Sequence, residues 1–302
     1  MIALFNNYVG EIAALSAALL WAISSVVYSR LGLKIPPLQL NFYKGIVAIA
    51  FIIITLYVQG AAFTNLSMSS IALLFLSGII GIGLGDTAYF AALNSLGARR
   101  TLLMETASPA MGALLALIFI GEQLTYSAWS GISLTIMGIA WVISERNPVV
   151  EIGVSRQGVI WGILAAIAQA VGAVISRFAL LQSDITPLES TLIRLVGGTV
   201  IVLSLLFLPT LKQTQTRWQL SWRSLGIIAI AAMMSTYFGI WLQQTSLKFA
   251  PTGIAQTLLA TSPLFILPIV ILRGEKVSLR AVLGAIISLG GIALMFVRQS
   301  GF

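Results

Sequence analysis

Two stretches decide how this chain is read: residues 108–125, SPAMGALLALIFIGEQLT, and residues 262–278, SPLFILPIVILRGEKVS. Each opens on Ser-Pro, continues through apolar residues and stops at Gly-Glu. About 20 consecutive apolar residues can cross the hydrocarbon core of a bilayer as a helix, with every backbone group bonded internally. Meeting one punctuated apolar run twice points to a duplicated unit. Further pairs keep the same order at a nearly constant shift: Ser29-Arg30 with Ser176-Arg177, Pro37-Leu38 with Pro187-Leu188, and Gly138-Ile139 with Gly291-Ile292. One register therefore relates residues 1–147 to residues 148–302, the two units expected here.

Composition agrees. Of 302 residues, 58% are hydrophobic and 9% charged, with mean hydropathy +1.00, whereas soluble domains are about a quarter charged. A net charge of +8 would suggest nucleic acid in a soluble protein. Here the basic residues sit in short gaps between apolar runs, without interleaved aromatics, so no nucleic-acid partner is expected. Cysteine and histidine are absent, which removes disulfides, thiol nucleophiles, imidazole bases and soft metal sites. No cofactor or metal is expected. The segment before the first apolar run carries Glu11 and no lysine or arginine, so it lacks the positive region of a cleaved signal.

Apolar runs bounded by turn residues and charges fall near 11–30, 38–58, 68–92, 101–120, 126–144, 157–180, 187–208, 223–246, 253–272 and 279–297. The expected fold is an all-α membrane protein of ten transmembrane helices. Five helices per unit is an odd number, so the second unit enters the membrane from the opposite side. Two inverted five-helix repeats then surround a central cavity, where such repeats commonly place a substrate site. Lys34, Arg99, Arg100, Arg146, Arg156, Lys212 and most other basic residues flank the odd-numbered loops, while Arg177, Lys248 and Arg298 flank the even loops or the carboxyl terminus. The positive-inside rule places the odd loops in the cytoplasm and both termini outside.

The paired Ser-Pro and Gly-Glu motifs, with a basic residue early in the second helix of each repeat (Lys44 and Arg194), resemble the drug/metabolite transporter superfamily, and within it the EamA type of ten-helix carriers, over essentially the whole chain. The resemblance implies a transporter of the inner (plasma) membrane and chooses no substrate. Two features depart from the family's pattern: Lys44 stands where arginine is more usual, and cytoplasmic termini are often described for such proteins.

An ionisable group within a span costs about 2.5–3.5 kcal/mol at the helix centre, so each needs a partner or a wet cavity. Lys44, Asp86 and Glu105 enter their helices from the same side at similar depth. They form either an ion pair pinning helices two, three and four or a site for substrate or protons, with Asp86 and Glu105 as candidate proton carriers. Arg194 matches Lys44 by repeat symmetry, yet the positions matching Asp86 and Glu105 are the apolar Ile240 and Leu259. Either Glu189, a turn earlier, neutralises Arg194, or its guanidinium faces the cavity and receives a substrate carboxylate or phosphate.

Pro109 and Pro263 are expected to kink their helices, lining a cavity or shaping packing. Gly78, Gly81, Gly83 and Gly85 in the third span allow close backbone approach. Trp21, Tyr89, Gln169, Tyr237, Trp241, Gln243 and Gln244 are candidates for aromatic walls and amide contacts to a small solute. Glu122 and Glu275 read as structural residues capping the fifth and tenth helices.

These features point to alternating-access transport of a small polar metabolite in the lipid bilayer, with export favoured and amino-acid-like zwitterions or organic anions as leading substrates. No Gly-x4-Gly-Lys-Ser/Thr loop occurs, so energy would come from a gradient. A lipid-translocating or receptor-like protein is the alternative. A membrane-embedded enzyme is disfavoured, since histidine, cysteine and a Gly-x-Ser-x-Gly motif are all missing. A homodimer is left open.

Overall fold

The structure, a computed structural model, describes residues 8–31, 35–60, 67–96, 98–143, 155–208, 222–265, 268 and 278–296. The boundary expected at 147/148, Gly274 and Glu275 lie outside them, as do the side chains of Ser29 and Arg30. Among the described residues every regular element is helical. In chain order these are α1 (Val9–Leu31), α2 (Pro37–Val58), α3 (Met68–Leu96), α4 (Ala98–Glu105 and Ala107–Phe119), α5 (Tyr126–Ile143), α6 (Arg156–Leu181), α7 (Pro187–Leu206), α8 (Trp222–Phe249), α9 (Thr252–Leu259) and α10 (Leu279–Phe296). By length and composition, α2, α3, α6, α7 and α8 can each cross a membrane.

The repeated sequence pairs become repeated local structure. Pro37 and Pro187 both stand at the first turn of a helix, where a missing N–H costs nothing. Pro109 and Pro263 act one turn upstream. A proline ring clashes with the carbonyl four residues before it, and the first segment of α4 ends at Glu105 while α9 ends at Leu259, in both cases that residue. α4 is kinked as expected, since Thr106 stays in the helical region and its N–H still reaches Leu102 O at 3.2 Å, whereas after α9 the bonding tightens, Thr261 N donating to Leu258 O at 3.2 Å.

α3 and α8 hold equivalent places in the two halves, and each contains a π-helical stretch, at Gly78–Gly85 and Met233–Phe238. Wide turns of this kind are frequent at functional sites.

Packing runs mainly between the halves. α5 lies on α10, α2 on α7 and α4 on α9; α1 lies on α8 as α6 lies on α3; α3 meets α7 as α8 meets α2. Exchanging α1–α5 for α6–α10 leaves this pattern unchanged, which is a pseudo-two-fold relation. α5 and α10 run antiparallel, since Gly131 faces Gly291 and Met295 while Gly138 faces Gly284 and Ser288. Two glycine contacts set the backbone spacing beside the centre. A Cβ at Gly78 would collide with the Arg194 backbone, and one at Gly172 would come within 3.0 Å of the Gly81 Cα.

Candidate functional site

A cavity of about 360 Å³ lies at the junction of the halves, walled by α1, α3, α4, α8 and α9 with single residues from α2, α6 and α7. Lys44, Asp86, Tyr89, Glu105, Gln169, Arg194, Gln243 and Trp21 all line it, as do Pro109 and Pro263. Thr106 and Ala260, each three residues before its proline, stand in its wall as well.

Lys44 forms an ion pair with Asp86, and its ammonium lies 5.0 Å from the Phe90 ring centroid. Asp86 stands where the π stretch of α3 returns to α-helix. Asn41, one turn before Lys44 and on the same face, holds that return in place. Its amide donates to the carbonyls of Ile82 (2.9 Å) and Gly83 (3.2 Å) and to Thr87 Oγ1 (3.0 Å). Thus α2 satisfies both the backbone and the carboxylate of the widened turn.

Arg194 is provided for differently. Nη1 donates to Gln243 Oε1 at 3.3 Å, and buried Nε has no hydrogen-bond partner. The expected alternative partner is otherwise engaged. Glu189 accepts from Thr186 N and Thr186 Oγ1, both at 2.8 Å, in a capping box at the start of α7. A position three residues into a helix after threonine is a capping position first, and that claims the carboxylate. Glu105, on α4, presents a buried Oε1 with no partner, as does Ser24 with its Oγ. The cavity wall therefore holds one internally neutralised pair and, besides it, one guanidinium and one carboxyl group each with an unfilled hydrogen-bonding atom.

Three expected lining residues lie elsewhere. Tyr237 is buried in the core between α2 and α8, its hydroxyl 2.8 Å from Thr55 Oγ1, and Trp241 packs beside it. The α8 residues facing the cavity are Ser235, Thr236, Ile240 and Gln243; at 100° per residue, Tyr237 and Trp241 point to the other side. Gln244 also turns away, accepting from Ser176 (2.5 Å) and Ser190 (2.6 Å). Glu122 caps α9 rather than the fifth helix, accepting from Thr252 N at 2.8 Å, and it pairs with Arg177 at 2.6 Å.

Sequence reasoning overlooked Asn41, Ser24, Ser25, Tyr28, Ser235 and Gln256. For α1 a signal existed: Trp21, Ser24, Ser25 and Tyr28 recur at helical spacing and form one polar stripe on an apolar helix. Trp21 Nε1 donates to Ser235 O at 2.8 Å, and the Tyr28 hydroxyl lies 3.0 Å from Ser235 Oγ, so this stripe fastens the second π stretch. Gln256 reaches Gln169 O at 3.4 Å.

Comparisons with known proteins point one way. Protein LicB of Haemophilus influenzae (strain ATCC 51907 / DSM 11121 / KW20 / Rd) is 25% identical over 209 residues, 67% of this chain and 69% of LicB. A crystal structure of another protein shares the fold at TM-score 0.76 with 17% identity, over 95% of this chain and 96% of its own. The sequence pattern of the EamA-like transporter family matches residues 8–144 and again residues 156–297, and the chain belongs to that family.

Proposed function

We propose that this membrane transporter is a secondary carrier of a small polar metabolite, working by alternating access at the cavity between its halves. Amino-acid-like zwitterions fit best and organic anions second. The observation that carries this reading is the pairing of needs in the cavity wall: Arg194 Nε and Glu105 Oε1 are both buried without a partner, while Lys44 and Asp86 satisfy each other. A solute bringing one carboxylate and one ammonium would meet both needs, each through a charge-assisted hydrogen bond. An organic anion would use Arg194 alone.

In this reading all ten helices cross the bilayer, and residues 1–147 and 148–302 form two inverted repeats. The antiparallel packing of α5 on α10 and the exchange symmetry of the contacts support that arrangement. The charge bias supports termini outside the cytoplasm, the family resemblance supports the inner membrane, and export is the favoured direction. Glu105 is the better candidate for proton coupling, because Asp86 already holds Lys44. We read the chain as a carrier with no enzymatic step.

The test is a substrate screen in proteoliposomes comparing amino acids, sugar phosphates and cationic drugs on wild type and Arg194→Gln. Amino-acid flux abolished by the substitution is the expected result. Normal flux in a folded, inserted Arg194→Gln protein would remove Arg194 from the site, and transport of cationic drugs alone would overturn the substrate assignment. A reporter fused at Phe302 checks orientation, since cytoplasmic signal contradicts it.

A further inference from the structure

We propose that the Glu122–Arg177 ion pair is the latch that closes one end of the cavity, and that it parts when access switches. This rests on the transport reading above. Glu122 follows Gly121, whose φ of +72° makes the tight turn between α4 and α5. Arg177 lies near the end of α6. The Arg177 Nε donates to Glu122 Oε1 at 2.6 Å, and Nη1 donates to the carbonyls of Leu247 and Lys248, both at 2.7 Å. The other Glu122 oxygen accepts from Thr252 N at 2.8 Å. A guanidinium thus sits on the last carbonyls of α8 and a carboxylate on the first amides of α9, the charge preferred at each helix end.

One pair therefore gathers four segments, and it crosses between the halves: Glu122 comes from the first, and everything it holds comes from the second. Lys248 adds a bond to Ile185 O at 2.6 Å, and beneath the pair Gln244 joins Ser176 and Ser190. Toward this end the cavity reaches Gln243 and Gln256, and Gln256 lies one turn beyond Thr252, so the pair sits directly over that end of the cavity. Toward the opposite end it reaches Leu93 and Leu102, within about one turn of the junction between α3 and α4.

Both side chains are nearly covered in this state, at 11% and 12% exposure. Because the pair lies at the end of the bundle, parting returns both charges to water, so the cost of opening is that of an exposed ion pair and not of an isolated buried charge. Such a contact can hold a conformation without trapping it.

The natural chain contains no cysteine, so a single Ser108→Cys in the cavity wall is a clean reporter. A membrane-impermeant maleimide is applied to either face of oriented vesicles. With the latch intact, labelling is expected from one face. Glu122→Gln, which keeps an oxygen for Thr252 N, and Arg177→Lys, which keeps a charge but loses the fork, should each raise labelling from the other face about two- to fivefold. Asp184→Asn, an exposed carboxylate at the same end, should leave it unchanged. An unchanged ratio in latch variants that elute as monodisperse protein would overturn the latch and leave the transport reading standing. Labelling from neither face, with every variant folded, would sink both.

Discussion

Lys44 and Arg194 occupy the same place in the two halves, early in α2 and α7, yet the protein treats them oppositely. Lys44 has its counter-ion within the fold, on a turn of α3 that Asn41 pins at three points. Arg194 has a neutral amide at 3.3 Å and an unfilled Nε. The duplicated scaffold supplies two inward-facing cations. One is neutralised within the fold, and the other keeps a buried donor unfilled.

The sharpest way to break this contrast is to remove the structural cation. Lys44→Met leaves Asp86 as an unpaired, largely covered charge, and loss of one member of such a pair costs about 3–5 kcal/mol. A large fall in thermal stability in detergent is expected, with recovery in Lys44→Met/Asp86→Asn; a stable single variant would show that Asp86 is solvated and that the contrast fails.

Arg194→Gln should do the reverse, sparing stability and weakening substrate binding by about 1.5–3 kcal/mol, a rise in Kd of roughly ten- to a hundredfold. Equilibrium binding of the solute found in the screen measures it. A smaller effect comes next: Asn41→Ala removes the side-chain donor to the Ile82 carbonyl and leaves Gly83 with Thr87 Oγ1 alone, which should cost about 1–3 kcal/mol, read as a lower Tm and a weaker transport rate. Retention of both would mean that the π turn of α3 stands without α2.

Glu105→Gln sharpens the comparison from the anionic side. Flux driven by an imposed proton gradient should fall to the level seen without one, while solute exchange at equal pH persists. Persistence of the gradient-driven component would move coupling to another group. Least affected should be Tyr237→Phe, which loses only the Thr55 contact outside the cavity, worth about 0.5–1.5 kcal/mol. Its Kd should match wild type, and a marked change would mean that the core face of α8 senses the substrate.

Much of the fold was legible. Apolar runs, proline positions and paired motifs located the helices and the kink in α4, because hydropathy and backbone sterics act over a turn or two of chain. The candidate site was legible in its ionisable members, since a charge within an apolar span stands out wherever it points. It was not legible on α8, where Tyr237, Trp241, Gln243 and Gln244 lie within two turns and only one of them faces the cavity. Along these turns Gln243 faces the cavity while Gln244 meets Ser176 and Ser190 in the protein, so polarity does not mark which side faces the void.

By itself the sequence determined a duplicated helical membrane protein with prolines at equivalent places, an intramembrane lysine and arginine, and membership of a transporter family. The tertiary structure alone decided partnership: that Asp86 takes Lys44, that Glu189 caps its own helix and leaves Arg194 open, and that Glu122 reaches Arg177 and the start of α9. The reason is range. Helix formation and lipid burial are governed by neighbours along the chain, whereas each of these pairings, except the local cap of Glu189, depends on which faces of distant helices meet. For Lys44 and Asp86 that is settled by α2 and α3 within the first half, and for Glu122 only when the two halves pack together.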